Sequence, residues 1–262
     1  MKSESMINYA TYNDYKTVEK YSKVNSLQEP ERKILELLKP ALKNMRMLDI
    51  GVGAGRTTRY FSNHVKEYVG IDYSPLMIER CKHNFENRPD NIKFEIIDVI
   101  DLSVFPDNYF DFVLFSFNGI VYLSKEERQL AFKNILRVGK NGGYFSFSTH
   151  NILSVKNLFD FKKQFTSNPK QLMRNLKTWF RLKLLYPQPD KLYKNRDYVI
   201  FNDGSLNFNL LTFYTNPQIQ KEELSKNFTC IKMFDSNGNI INGNELDTVN
   251  DNWIYFLCKF NK

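Results

Sequence analysis

The residues of this chain best suited to chemistry gather around one stretch, Met45 to Thr58, MRMLDIGVGAGRTT. Glycines stand at positions 51, 53 and 55, directly after an apolar run, Met45 to Ile50, that only Arg46 and Asp49 interrupt. The pattern reads as a buried parallel strand, a tight turn and a helix from Arg56 to His64. Glycines suit a turn that needs unusual dihedrals and close approach of a ligand. The following helix N-terminus offers free N–H groups to an anionic group. The glycine order differs from the G-x-G-x-x-G of a dinucleotide site. Asp49, two residues before Gly51, would repel a pyrophosphate and suits a ligand that carries a cation beside its carboxylate. A second acid, Asp72, ends the strand-like run Glu67 to Ile71, 21 residues after Gly51. Nucleotide-binding α/β domains place a carboxylate on the ribose hydroxyls at that spacing. Asp72 could instead cap the helix that Pro75 opens, but Ser74 is the better cap and leaves Asp72 free.

The order Asp49-x-Gly51-x-Gly53-x-Gly55 resembles the first motif, D/E-x-G-x-G-x-G, of the class I S-adenosylmethionine-dependent methyltransferases. The resemblance covers roughly residues 15–150. It implies S-adenosylmethionine as cofactor, with Asp49, Gly51, Gly53 and Gly55 at its amino-acid end, Asp72 at its ribose, and Tyr73 and Ser116 among the other cofactor-binding candidates. Met77 matches the adenine-packing residue of the family's D-x-S-x-x-M. Asp98 and Val99, after a third strand Asn91 to Ile97, match the positions that meet the adenine amino group and ring. The family's F-D-x-V is present as Phe110-Asp111-Phe112-Val113, and Ser116 and Asn118 leave that strand on the ligand side. Tyr21 is the best match for the tyrosine of a lid helix that reaches the donor, although Val18 and Ser22 replace its usual flanking Ala and Asp.

The elements that must position these groups alternate strand and helix. A helix over 29–43 precedes the first strand, with apolar positions Ile34, Leu37, Leu38, Ala41 and Leu42. Phe110 to Phe115 is almost wholly apolar, as a strand covered on both faces should be. Lys125 to Val138 is helical, Gly139 to Gly143 stops it, and Tyr144 to Thr149 is a fifth strand with His150 at its carboxyl end. The expected fold is therefore α/β: a Rossmann-like, seven-stranded, mostly parallel sheet with helices on both faces and an inserted cap region. The expected divisions are an N-terminal lid (1–28), a donor-binding core (29–151), a basic helical insertion on the substrate side (152–205) and a C-terminal part of the core sheet (206–262). In the last part, 206–215, 228–234 and 253–260 read as strands, and the resemblance implies that the final one runs antiparallel.

The insertion carries eleven Lys or Arg between Val155 and Arg196 against Asp160 and Asp190 alone. Pro169 to Leu185 within it is a basic amphipathic helix, linked outward by Pro187-Gln188-Pro189. It reads as a cap with a solvated charged face, as a means of capturing an acidic or phosphorylated substrate, or as a contact with a membrane surface, the last not favoured. The net charge of +8 permits acidic partners without choosing among them. Cys81, Cys230 and Cys258 show no C-x-x-C spacing, which points to reduced thiols in the cytoplasm rather than a disulfide framework or metal site. The N-terminus lacks the apolar segment of a signal peptide, and no run has the length of a membrane span.

Methyl transfer to an amine needs alignment and little else, whereas a hydroxyl acceptor usually needs a base. His150 is the best candidate base, or else a structural hydrogen-bonding residue, with Asn118 and Tyr21 as companions at the reaction mouth; His64 and His83 fall on or near helix surfaces. No set of carboxylates beyond the donor's own suggests a metal. Base methylation of nucleic acid is disfavoured, because Ser116-Phe117-Asn118-Gly119 lacks the proline pair of D/N/S-P-P-Y/F/W and no cysteine follows a proline. The expectation is a methyltransferase acting on a small-molecule amine or hydroxyl, nitrogen slightly favoured. The alternatives are an RNA-binding or RNA-modifying methyltransferase and a non-catalytic donor-binding partner protein. The acceptor and the oligomeric state are not readable.

Overall fold

Strand β1 (Arg46–Ile50) is flanked by two parallel neighbours, β2 (Glu67–Asp72) and β4 (Phe110–Phe115). That central place explains its apolar run, since Met47 and Leu48 are fully buried on opposite faces. The computed structural model describes residues 4–262, so the first three residues of the expected lid lie outside the described residues. Beyond β2 lies β3 (Ile92–Ile96), and beyond β4 lies β5 (Gly139–Asn151). The final strand, β9 (Trp253–Phe260), pairs antiparallel with β5 and with β8 (Phe228–Phe234).

These seven strands match the expected sheet, but the whole sheet has nine. The expected count of seven is corrected: β6 (Tyr198–Phe201) is added, and the expected strand 206–215 is cut to β7 (Thr212–Thr215), with which β6 pairs antiparallel. The cause is the length of β5. It runs thirteen residues rather than the six of Tyr144 to Thr149. Its first residues, Gly139 to Gly143, end the preceding helix as expected and then continue as strand. Its last two, His150 and Asn151, pair parallel with Tyr214 and Thr215 of β7.

Helices cover both faces. On one face α3 (Glu29–Leu42) buries Ile34, Leu38 and Leu42, spaced four apart, against Met47, while Leu37 faces solvent. The cover there is completed by α4 (Thr58–Phe61) and α5 (Pro75–Asn84). On the other, α6 (Lys125–Val138) inserts Ala131, Ile135 and Val138 among the sheet's phenylalanines, its start fixed by a capping box of Ser124 and Glu127. Two N-terminal helices, α1 (Glu4–Tyr12) and α2 (Tyr15–Ser22), lie over the carboxyl ends of the strands. Buried Asn8 anchors α1. Its amide donates to the Tyr122 and Leu211 carbonyls at 2.9 and 3.0 Å and accepts from the Leu211 N–H at 3.1 Å.

The basic segment forms α7 (Val155–Phe159), α8 (Pro169–Leu185) and α9 (Asp190–Tyr193). They share a third apolar cluster with β6 and Tyr214. Among the described residues, no helix is long and apolar enough to cross a membrane.

Candidate functional site

The turn after β1 is built by its glycines. Gly51, Gly53 and Gly55 have φ of +67°, +55° and +89°, where a side chain strains the backbone. Gly55 is doubly constrained, because a Cβ there would lie 2.3 Å from the Phe85 ring. The helix beyond the turn is shorter than expected. It comprises only the four residues of α4, followed by a 3-10 turn, Ser62–His64. Asp49 supports the turn from below. Its buried carboxylate accepts hydrogen bonds from the Thr57 and Tyr68 hydroxyls, and burial pushes it up to about 6.

Above the turn opens a cleft of about 900 Å³, its mouth included. Of the sequence-derived candidates, Tyr21, Gly51, Gly53, Asp72, Tyr73, Met77, Val99 and Ser116 line it. Asp49, Gly55, Asp98, Asn118 and His150 do not.

Asp72 is the cleft's anionic wall. Its Oδ2 accepts from the Gly53 N–H at 3.0 Å and its Oδ1 from the Ser74 N–H at 2.9 Å. Ser74 caps α5 by accepting from the Met77 N–H at 3.2 Å, as the sequence suggested. Burial pushes the Asp72 carboxyl up to about 6, against the pull of the two N–H groups. Met77, Ile97 and Val99 supply apolar lining. The neighbouring Asp98 is half-buried and accepts from the Ile100 N–H at 3.2 Å.

Sequence reasoning missed a second group at the cleft. Arg56 lines it and forms a two-pronged ion pair with Glu31 of α3, at 2.5 and 2.7 Å. Glu31 also accepts from Ser116 Oγ, and Phe117 stacks on the guanidinium at 4.7 Å. Arg56 stood inside the glycine motif, but it reads there as a helix opening. Glu31 reads as one more solvent-facing acid of an amphipathic helix.

A tyrosine cluster from three elements forms the other wall. Tyr12 and Tyr21 bring their hydroxyls to 3.3 Å, and the Tyr12 and Tyr122 rings lie 5.3 Å apart. All three line the cleft, and burial raises each hydroxyl above its ordinary value, so they stay protonated. Tyr12 and Tyr122 carry no sequence signal beyond a general abundance of tyrosine.

His150 and Asn118 lie outside this wall. The His150 ring packs on Tyr214 at 4.7 Å and Trp253 at 5.9 Å, the strand neighbours that the length of β5 gives it. Burial pulls it down to about 4, with the Asp203 charge opposing. Asp203 accepts from the Tyr214 hydroxyl at 2.8 Å. Asn118 is left-handed, with φ +59°, and donates its N–H to Ser148 Oγ at 2.7 Å, while its buried Oδ1 has no partner. Among the described residues, no group of three His, Cys, Asp or Glu side chains could hold a metal.

Residues 47–143 match the family model described as a methyltransferase domain. Phosphoethanolamine N-methyltransferase 3 of Arabidopsis thaliana is 28% identical over 127 residues, covering 48% of this chain and 26% of that protein. The chain thus spans about a quarter of that relative's length. Among solved structures, the N-methyltransferase NodS from Bradyrhizobium japonicum WM9, in complex with S-adenosylhomocysteine, superposes with a TM-score of 0.55. The match has 15% identity and covers 95% of this chain and all of that one. Haemonchus contortus phosphoethanolamine N-methyltransferase 1, in complex with phosphoethanolamine and S-adenosylhomocysteine, superposes with a TM-score of 0.58 and 16% identity. It covers 100% of this chain and 51% of that one. At these identities the two structures speak for the fold.

Proposed function

We propose that this chain, a member of the class I S-adenosylmethionine-dependent methyltransferases, methylates the nitrogen of a small amine. The observation that carries the reading is Asp72, a buried carboxylate in the cleft wall at the carboxyl end of β2. Each of its oxygens accepts one backbone N–H, which leaves each a further lone pair for a ribose hydroxyl. Ile97, Val99 and Met77 suit the adenine, and Arg56 suits a carboxylate at the glycine turn. The residues present therefore fit S-adenosylmethionine. When bound, it supplies a methyl group already activated on a sulfonium.

What remains for the protein is to align the acceptor in line with that methyl and to exclude water. In this reading α1 and α2 form the lid, and Tyr12, Tyr21 and Tyr122 face the acceptor. Their hydroxyls are protonated and neutral, so they can accept an amine N–H and aim its lone pair. Nitrogen is favoured over oxygen because the wall they form offers no ready base, and His150 packs instead on Tyr214 and Trp253. The relatives named as N-methyltransferases support the same choice. The phosphoethanolamine enzymes among them support a small, phosphorylated acceptor, which the basic insertion 152–205 would draw in. Three unbridged cysteines support a reducing, cytoplasmic setting.

Calorimetric titration with S-adenosylmethionine and S-adenosylhomocysteine tests the donor site, on the wild type and on Asp72→Ala. Binding by the wild type and its loss in the variant are expected. A wild type that binds neither compound sinks the reading. Transfer of labelled methyl to phosphoethanolamine, ethanolamine and matched alcohols then tests the acceptor. Labelling of the alcohols alone would replace nitrogen by oxygen.

A further inference from the structure

We propose that the outer face of α8 docks on an anionic lipid bilayer. The inference is independent of methyl transfer. The inner side of α8 is committed to the protein: Leu182 is buried, and Trp179 Nε1 donates to the Phe159 carbonyl at 3.0 Å. The other side presents Met173, Phe180 and Leu184, which are 57%, 60% and 67% exposed. Spacings of seven and four put them on one line along the helix. Phe161 and Phe165 of the preceding segment, 47% and 59% exposed and packed edge to face, add exposed apolar surface where Phe161 meets Trp179.

A second line runs beside the first. Lys170, Arg174, Lys177 and Arg181 follow one another at helical spacing and line one groove with Asn207 and Phe208. Among the described residues, none of the four forms an ion pair with a carboxylate. Arg181 lies over the Phe208 ring at 4.1 Å, which leaves its charge uncompensated. The acids of the segment are spent elsewhere: Asp190 pairs with Lys194, and Asp160 accepts from the Lys162 N–H.

The two lines together select the partner. Nucleic acid would take the cations and leave the apolar line in water. A second copy of this face would set cation against cation. An anionic bilayer takes both: lipid phosphates meet the cations, while the three apolar side chains enter the boundary between headgroups and acyl chains.

The test is co-sedimentation of the full chain with vesicles of phosphatidylcholine, or of phosphatidylcholine mixed equally with phosphatidylglycerol. Binding to the mixed vesicles alone is expected, weakening as salt rises. Lys170→Gln with Lys177→Gln should weaken it about 25-fold, roughly fivefold per cation. Phe180→Ser with Leu184→Ser should weaken it at least about tenfold. Donor titration on the same variants reports that they remain folded. Phe180→Trp puts an indole on the outer line itself, and brominated lipid should quench its fluorescence beyond any quenching of the wild type. Equal binding to both vesicles, no binding, or no quenching would overturn the proposal. So would RNA binding that the glutamine pair abolishes and the serine pair leaves intact, or a dimer that the serine pair dissolves.

Discussion

Glu31 and Arg56, on different elements and 25 residues apart, lock in a two-pronged ion pair beside the donor cleft. Their side chains are 0% and 11% exposed, so neither charge can turn to water if the other is removed. Breaking a buried pair from one side costs about 3–5 kcal/mol. Arg56→Met should lower the unfolding free energy by about that amount in urea denaturation, and Glu31→Met with Arg56→Met should recover much of it. Donor affinity separates structure from recognition. Arg56 lines the cleft, so the double variant should regain stability and still bind donor weakly.

The carboxyl of Asp72 titrates at about 6, above the ordinary aspartate value, because burial penalises its ionised form. Its contribution to stability is therefore full in acid and is lost as pH rises through about 6. If Asp72 holds the ribose as proposed, donor binding runs the other way, since the ribose hydroxyls then need the ionised carboxylate as acceptor. Affinity should fall as pH drops through about 6, approaching tenfold per unit below it. Burial pushes Asp49 up to about 6 as well, yet it lies beneath the turn and, among the described residues, its carboxylate is hydrogen-bonded by Thr57 and Tyr68. Calorimetry across this range on Asp72→Asn separates the two. Its weaker affinity should be flat with pH, and a persisting slope would move the effect to Asp49.

How far the sequence reached follows from how local each signal is. Asp72, Ser74, Met77 and Val99 each sit at or just beyond a strand end, and a strand end is legible from an apolar run and the turn residues that close it. The central strands were found for the same reason. Glu31 was illegible because its burial depends on Arg56 and Ser116, which come from other elements. His150 also follows an apolar run, and by that logic belongs at the mouth. But β5 outruns its expected end, and pairing with β7 and β9 turns the ring onto Tyr214 and Trp253. Strand length at a sheet's far edge depends on which partners arrive there, and no local pattern carries that.

Two glycines with left-handed backbones should respond differently to the same change. At Gly55 an alanine meets both a φ of +89° and the Phe85 ring at 2.3 Å. Backbone strain of about 1–2 kcal/mol adds to overpacking of about 1–3 kcal/mol. At Gly142, φ is +76° but nothing lies within 4 Å of the added atom. Gly142→Ala should cost only the backbone share. Thermal melts of the two variants check the difference, which disappears if the glycine turn yields to the extra methyl.

Tyr12 and Tyr122 should matter to transfer and not to donor affinity. Their rings lie 5.3 Å apart, and the Tyr12 hydroxyl reaches that of Tyr21 at 3.3 Å, so each can hold a polar acceptor group without becoming a base. Burial raises both hydroxyls, which keeps them protonated at neutral pH. Tyr12→Phe and Tyr122→Phe each remove one hydrogen-bonding oxygen and preserve the ring. A hydrogen bond of about 1–1.5 kcal/mol corresponds to roughly a tenfold fall in kcat/KM for the acceptor. The donor Kd should stay within about twofold, well below the loss that a direct donor contact would bring. The two losses should not add fully, because the hydroxyls share one cluster and the first removal already loosens the second. Steady-state kinetics on the single and double variants, with donor titrations beside them, measure all three quantities. A fall in donor affinity equal to the fall in kcat/KM would reassign the cluster to the donor side of the cleft.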